Sequence, residues 1–362
     1  MSVTRFALIG SGWRSEFFLR IARALPDRFC LTGVLVRDPQ RAQALGQAWG
    51  VNAVSDLDAL LRSRPDFVVL SVKRGAVLPY LNELAARGIP VLCETPPAET
   101  ADELNDLWAL AQRTGFPLQV AEQYFLQPLY AAWLAAVREG LIGPVQNISL
   151  SALHAYHAVS IIRLFLDAGM QPCSLTGRRY AFPVTETSSR EGQRFDGEVT
   201  QRKRDRIDFV FEGGGVAFFD FSDVQYHSTI RTRQLNVQGV RGEIDDLCIR
   251  YLTGDNLPVE ACLHRIDEGV YNNGNWAHQG LMLHDRFLYR NPFPGARLND
   301  DELAVAGCLA GMADYLRTGT PFYPLADALQ DSYLSFLMTE ALETPWQTIR
   351  SQPQGWAQAA NG

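Results

Sequence analysis

Two kinds of residue in this chain have the types and spacing for chemistry. The first is the run Gly10-Ser-Gly12-Trp-Arg-Ser15. A G-x-G turn that leaves a strand and opens a helix lets the backbone approach a pyrophosphate, and the free N–H groups of the helix start then face the phosphates. Gly10 would make the tight turn and Gly12 would clear the approach. Ser15 stands where the motif has its third glycine and is small enough for close helix–strand packing. Trp13 and Arg14 open the helix beside any such ligand. The second kind is a group able to move a hydroxyl proton while a dinucleotide moves a hydride. His157 suits this best, because an unperturbed imidazole titrates at about 6.5 and serves in both directions near neutral pH. His154 and Tyr156 lie beside it, and Tyr124 and Lys73 each follow the end of a strand. Every one has a plainer alternative: a structural histidine, an aromatic core residue, a solvated loop lysine. The other histidines (His227, His264, His278, His284) show no metal-ligand spacing with carboxylates or cysteines, so no metal is expected. There is no G-x-S-x-G and no Cys/His nucleophile arrangement.

These groups need elements to position them. Phe6 to Ile9 reads as a buried strand, and the pattern Phe17, Leu19, Ile21, Ala22, Leu25 reads as the helix behind the glycine turn. Strands over 30–36, 52–55, 66–72, 90–94 and 117–121 alternate with helices over 40–49, 56–61, 74–87 and 102–114. Asp38-Pro39 opens the second helix, and Gly50, Gly88 and Gly115 close helices. Repeated β-α with short loops and apolar strands specifies a doubly wound parallel sheet buried on both faces. Tyr124 and Lys73 then fall at its carboxyl edge, where such sheets bind ligands. The rhythm changes near residue 128. Helices over 129–139 and 157–166 precede a hairpin over 206–211 and 216–221, a further pair over 234–239 and 243–251, and helices over 300–317 and 325–342. Residues 183–203 and 269–280 read as polar loops. The fold class expected is α/β: an N-terminal Rossmann domain over 1–126, and a C-terminal α+β domain over 127–362 with a mostly antiparallel open sheet.

The bulk properties exclude several classes. At 362 residues the chain has room for about two domains. A net charge of −7 suits neither nucleic acid nor an anionic membrane surface, and no apolar run approaches a membrane span. The first strand begins almost at Met1, which leaves no room for a signal peptide. The six cysteines (Cys30, Cys93, Cys173, Cys248, Cys262, Cys308) are scattered without a C-x-x-C pair, and read as reduced, buried thiols of a cytoplasmic protein.

Four features in order make the chain resemble the glucose–fructose oxidoreductase and inositol dehydrogenase family (Gfo/Idh/MocA). They are the glycine turn, Val91-Leu-Cys-Glu-Thr-Pro96 as the counterpart of the strand ending in Glu-Lys-Pro, Pro128 followed by Gly140-Leu-Ile-Gly-Pro-Val145, and Val237-Gln-Gly-Val-Arg-Gly-Glu243 as the G-x-x-G sheet motif. The resemblance implies a nicotinamide cofactor, a sugar-like substrate, and a homodimer or homotetramer formed through the C-terminal sheet. It also implies cofactor contacts from Ser71 and Lys73, where the family has Thr-Pro-Asn, and from Glu94, Thr95 and Gln123. Besides that loop, Gln123-Tyr124-Phe125 in place of Asn-Arg-Arg and a shortened stretch before His157, the chain departs from the pattern at two catalytic positions. Thr95 replaces the usual lysine and supplies no charge at neutral pH. Leu153 stands four residues before His157, where an aspartate is usual.

An acidic residue at the end of the second strand holds the ribose 2′-hydroxyl of NAD, and an arginine accommodates the 2′-phosphate of NADP. The matching position is Val36, followed by Arg37. Asp38 is better explained as the cap of the next helix. The balance favours NADP over NAD. The activity implied is an NAD(P)-dependent oxidoreductase acting on a sugar, polyol or related hydroxyl or carbonyl compound. The two alternatives are a non-catalytic nucleotide-binding sensor or partner subunit, and an enzyme that uses its cofactor transiently for elimination or glycoside cleavage.

Overall fold

The computed structural model describes residues 3–269 and 276–359. In chain order the first elements are β1 (Thr4–Ile9), α1 (Trp13–Ala24), β2 (Phe29–Leu35), α2 (Pro39–Trp49), β3 (Ala53–Val54), α3 (Leu57–Leu61), β4 (Phe67–Leu70), α4 (Val77–Ala86), β5 (Val91–Cys93), α5 (Ala101–Thr114) and β6 (Leu118–Val120). Then come α6 (Pro128–Arg138), β7 (Val145–Ser151), α7 (Ala155–Leu166), β8 (Cys173–Thr185), β9 (Ser188–Ser189), β10 (Gly192–Gln193), β11 (Val199–Phe211), β12 (Val216–Phe221), β13 (Gln234–Gly239), β14 (Gly242–Asp245), β15 (Cys248–Leu252) and β16 (Pro258–Cys262). The chain ends with β17 (His264–Glu268), β18 (Ala277–Leu283), β19 (Arg286–Arg290), α8 (Asp300–Thr318), α9 (Leu325–Glu343), β20 (Thr348–Arg350) and α10 (Gly355–Ala359).

The chain divides into two compact units. The first comprises residues 1–128, 265–280 and 290–332, and the second 129–264, 281–289 and 333–362. The first change of unit follows Pro128, and α8 falls in the first unit. The reason is packing: α8 carries Leu303, Ala306, Leu309 and Met312 into the core that α1 and the parallel sheet share.

The first unit is a parallel sheet of order β3-β2-β1-β4-β5-β6. Phe6, Leu8, Val34, Phe67, Val69 and Leu92 are fully buried, as strands covered on both faces require. The helices start and stop where their residues dictate. The Asp38 carboxylate accepts from the Gln40 and Arg41 N–H groups, and Gly50 ends α2 in the left-handed conformation. Ser15, buried under α1, donates to the Ser71 hydroxyl at 3.3 Å and so ties the helix to the end of β4.

The second unit holds a nine-stranded sheet of order β16-β15-β14-β13-β7-β12-β11-β8-β20. All pairings are antiparallel except β12 with β7. Ile207, Phe209 and Phe211 are buried while Asp208 and Val210 between them are exposed, so one face is covered and one is open. Two readings need correction. Residues 183–203 are not a loop: β8 and β11 pair from Cys173–Phe211 out to Thr185–Val199, and β9 and β10 form a small hairpin between them. The polar side chains that suggested a loop stand on the exposed positions of a ladder. Residues 243–251 are two strands, β14 and β15, turned back on each other. Of the expected loop at 269–280, residues 270–275 lie outside the described residues.

The cysteine reading also fails at one pair. Cys248 and Cys262 form a disulfide. The β15–β16 register sets them directly opposite, a proximity that a separation of 14 residues does not reveal. Cys30, Cys93, Cys173 and Cys308 are free thiols.

Candidate functional site

The strand order reverses between β1 and β4, and the crevice outside their carboxyl ends is where such sheets take ligands. A cleft of about 480 Å³ lies there. Its floor is the glycine turn. Gly10 has a φ of +126°, and a Cβ on it would sit 1.9 Å from the Ser71 carbonyl oxygen, so only glycine fits. A Cβ on Gly12 would meet nothing within 4 Å: the space in front of it is open. Gly12 is also the N-cap of α1 and brings no side chain to satisfy the first N–H groups of the helix. Gly10, Gly12, Trp13, Arg14, Arg37, Ser71 and Lys73 all line this cleft, together with Arg41 and Tyr80. Arg37, Arg41 and Lys73 bring three exposed cations to it, and Asp38, the one carboxylate in the lining, is engaged in capping α2. A cradle of open backbone N–H groups bordered by guanidinium and ammonium groups fits a phosphate-bearing nucleotide.

At one end of the cleft Arg14 gathers the residues expected around the other end of a dinucleotide. Its guanidinium lies 3.1 Å from Asp301 and 3.9 Å from Glu94, donates to the Gln123 side-chain oxygen at 3.2 Å, and sits 4.6 Å from the Phe17 ring. Burial pushes the Glu94 carboxyl above its ordinary range. Arg14 and the Thr95 N–H oppose this, and Asp301 and Glu122 add to it. Arg14 is held above its ordinary value: burial lowers it, and the Glu94 and Asp301 charges more than offset that. The Thr95 N–H donates to Glu94 at 3.3 Å. Tyr124 is buried, and its N–H donates to Glu122. Glu94, Thr95, Gln123 and Tyr124 do not line the cleft itself; they reach it through Arg14.

In the second unit Tyr156 and His157 lie on the first turn of α7, each 3% exposed. The His157 ring packs edge-on against Tyr156 at 5.3 Å and against His154 at 4.9 Å. His278 and His284, considered above only for metal spacing, contact Asp267 and Tyr251 respectively. Among the described residues no three His, Cys, Asp or Glu side chains gather as a metal-binding group.

Residues 4–122 match the model of an oxidoreductase family with an NAD-binding Rossmann fold, GFO_IDH_MocA. Over that segment, about a third of the chain, the sequence is similar to the Gfo/Idh/MocA family. Two curated proteins are similar over part of the chain. D-apiose dehydrogenase of Paraburkholderia graminis is 32% identical over 146 residues, 39% of this chain and 39% of its own length. The rhizopine catabolism protein MocA of Rhizobium meliloti is 26% identical over 151 residues, 41% of this chain and 47% of its own length. The chain thus matches less than half the length of each. Solved structures match over nearly the whole chain at low identity. An Agrobacterium radiobacter oxidoreductase in complex with NAD+, L-tartaric acid and magnesium has a TM-score of 0.68 at 18% identity, covering 96% of this chain and 98% of its own. Levoglucosan dehydrogenase in complex with NADH has 0.70 at 13%, covering 97% and 100%. These share the fold.

Three residues of this site escaped the sequence reading. Arg41 lies on the first turn of α2, while Arg37 precedes the helix and its Asp38 cap, so no helix-face spacing linked the two. Tyr80 carried no local signal. Asp301 sits 287 positions from Arg14, and its run Asp300-Asp301-Glu302 reads only as a helix start, which it also is: Asn299 and Glu302 form a capping box.

Proposed function

We propose that the protein is an NAD(P)-dependent oxidoreductase that transfers a hydride between the nicotinamide and a hydroxyl or carbonyl carbon of a sugar-like small molecule. The observation that carries this reading is the glycine turn opening onto a cleft bordered by Arg37, Arg41 and Lys73. The dehydrogenase activity named for the D-apiose relative, and the NADH named for levoglucosan dehydrogenase, support the reaction class.

In this reading Gly10, Gly12 and the first N–H groups of α1 hold the pyrophosphate, with Ser71 and Trp13 beside it. Arg37 and Arg41 take the adenosine ribose, and the engagement of Asp38 as a cap favours NADP over NAD. Glu94, Thr95, Gln123 and Tyr124, organised by Arg14, address the nicotinamide half, and Lys73 binds at the cleft edge. The bound nicotinamide supplies the hydride acceptor or donor. His157 moves the hydroxyl proton, with Tyr156 and Tyr124 next in line for that role. The fixed charge that Thr95 lacks is supplied by Arg14, which already lies beside Glu94. The reading also includes a cytoplasmic protein and a homodimer or homotetramer formed through the open face of the nine-stranded sheet, where Val210 and Phe218 are exposed. No helix of the described residues is long and apolar enough to cross a membrane.

The test combines calorimetric binding of NAD(H) and NADP(H) with nicotinamide absorbance during incubation with a panel of sugars and polyols. Binding with a net absorbance change supports hydride transfer. Product without net change indicates transient use of the cofactor. Binding with no reaction indicates a non-catalytic relative, the reading that Thr95 and Leu153 favour. No binding of either dinucleotide refutes the site.

A further inference from the structure

The walls of the cleft in the first unit show which part of a dinucleotide it holds. Its lining comes from the ends of β1, β2 and β4 and from the starts of α1, α2 and α4. None of it comes from the ends of β5 and β6, where Glu94 and Gln123 lie. In the sheet β1 stands between β2 and β4, so the segments that follow those two strands flank the glycine turn on opposite sides. The segment after β2 brings Arg37 and Arg41, and the segment after β4 brings Lys73, Ala76 and Tyr80. Among the described residues Arg37, Arg41 and Lys73 pair with no carboxylate, whereas Arg14, Arg20 and Arg87 of the same unit all do. Phosphate and ribose account for these cations in the reading above, which leaves the base of the adenosine half without a protein partner.

Two aromatic rings line the cleft. Trp13 is already engaged: its ring packs edge-on against Phe17 at 4.8 Å and lies 5.2 Å from the Arg14 guanidinium. Tyr80 is half-buried, and among the described residues its ring has no aromatic neighbour and its hydroxyl no hydrogen-bond partner. It stands on the first turn of α4. Ala76, the N-cap of that helix, has right-handed helical backbone and lies four positions earlier, so the two share a helix face. Its methyl group leaves room beside the Tyr80 ring, and Leu35, Val36 and Val72 add apolar surface. Side chains that could read the edge of a base are missing from the lining. It contains no asparagine or glutamine to pair donor and acceptor with adenine, and its one carboxylate, Asp38, caps α2. An unpartnered ring on apolar surface suits the face of a base instead.

On this geometry, and resting on the dinucleotide site of the reading above, we propose that Tyr80 is the base-recognising residue of the cleft. Its ring stacks on the adenine, while Arg37 and Arg41 hold the ribose and its phosphate from the opposite side of the glycine turn. The base is read by its face and not by its edge. The site therefore selects a purine nucleotide without telling adenine from a purine whose edge groups differ, and the hydroxyl of Tyr80 contributes little.

The test is calorimetry on the full chain with ADP, inosine 5′-diphosphate and adenosine 2′,5′-bisphosphate. Tyr80→Ala should weaken ADP about tenfold or more, as loss of one base stack does, and Tyr80→Phe should stay within about twofold of wild type. Tyr80→Ala should weaken the 2′,5′-bisphosphate by the same factor, because a contact to the base does not sense the 2′-phosphate. Inosine diphosphate should bind wild type within about threefold of ADP. Tyr80→Leu, which keeps apolar bulk without an aromatic face, should lose the absorbance decrease of bound, stacked adenine that wild type and Tyr80→Phe show. The proposal is overturned if Tyr80→Ala and Tyr80→Leu both bind ADP as wild type does, if Tyr80→Phe loses as much as Tyr80→Ala, if only the 2′,5′-bisphosphate is weakened, or if inosine diphosphate is rejected. Wild type that binds neither ADP nor a dinucleotide removes the site reading and this proposal together. Dinucleotide binding that no Tyr80 variant changes removes this proposal alone. Binding that depends on the Tyr80 ring, without any nicotinamide absorbance change on sugars, keeps it and removes the hydride reading.

Discussion

Replacing Arg14 by methionine removes one charge from the buried cluster while keeping an apolar stem against Phe17 and Trp13. In the native protein the guanidinium sits between Asp301 at 3.1 Å and Glu94 at 3.9 Å, with side-chain exposures of 21%, 27% and 14% respectively. Breaking a fully buried pair by removing one partner costs about 3–5 kcal/mol, because the remaining charge is left uncompensated. A quarter or so of exposure screens part of that, so we expect a loss of about 2–3 kcal/mol at neutral pH. The pH dependence has a definite sign. Burial already raises the Glu94 carboxyl above its unfolded value of 4.5, and Arg14 is the largest influence holding it down. A carboxyl raised in the folded state contributes stability below its unfolded value and loses it as pH rises through the folded value. Without Arg14 the folded value rises further. The deficit of Arg14→Met relative to wild type is therefore largest at neutral to alkaline pH and shrinks as pH falls through the raised Glu94 value, where the carboxyl takes up a proton. Urea denaturation midpoints of both proteins across that range measure it. A deficit under about 0.5 kcal/mol would mean that the pair behaves as an exposed one, and a deficit that grows toward acid pH would refute the assignment of Glu94 as the strained partner.

Gly12→Val should abolish dinucleotide binding with the fold retained, since its side chain enters the open cleft and meets no protein atom there; unchanged calorimetric affinity would remove the glycine-turn assignment. Arg37→Ala should weaken NADP(H) about tenfold or more and leave NAD(H) nearly unchanged, the loss of a charge-assisted hydrogen bond of about 1.5–3 kcal/mol; equal effects on both cofactors would exclude a 2′-phosphate contact. His157→Asn should lower turnover on a verified substrate roughly 10²–10⁴-fold while cofactor affinity holds, and a wild-type rate would pass the proton-moving role to Tyr124 or Tyr156.

The parallel sheet was legible because its signals are local. Phe67-Val-Val-Leu70 is apolar throughout, and Asp38, Pro39 and Gly50 mark both ends of one helix within a dozen residues. Of the cleft-lining positions, Gly10, Gly12 and Lys73 followed from strand ends, and Arg37 and Ser71 from the resemblance to the family. What was not legible depends on register or on distant segments. Residues 183–203 read as polar loop because Gln201, Arg202 and Lys203 show no apolar alternation, and their neighbours on the partner strand cannot be known from one strand alone. Cys248 and Cys262 meet only once the β15–β16 pairing is set. Asp301 reaches Arg14 only because α8 packs against α1, a fact of tertiary packing with no local trace.

That packing has a consequence for how the protein is made. The core shared by Phe17, Phe18 and Ile21 of α1 is closed by Leu303, Leu309 and Met312 of α8, and the first unit takes its last residues from the stretch ending at 332. The ribosome therefore releases the parallel sheet long before the helix that covers part of it exists. During that interval the nascent chain carries an apolar face with no partner of its own, and most of the second unit is synthesised before the last segment of the first. Domain-by-domain folding from the N-terminus is closed to this chain. Its yield should depend on chaperone capacity and elongation rate more than its final stability would suggest, and a genetic cut after residue 128 should give an aggregating fragment rather than an isolated nucleotide-binding domain.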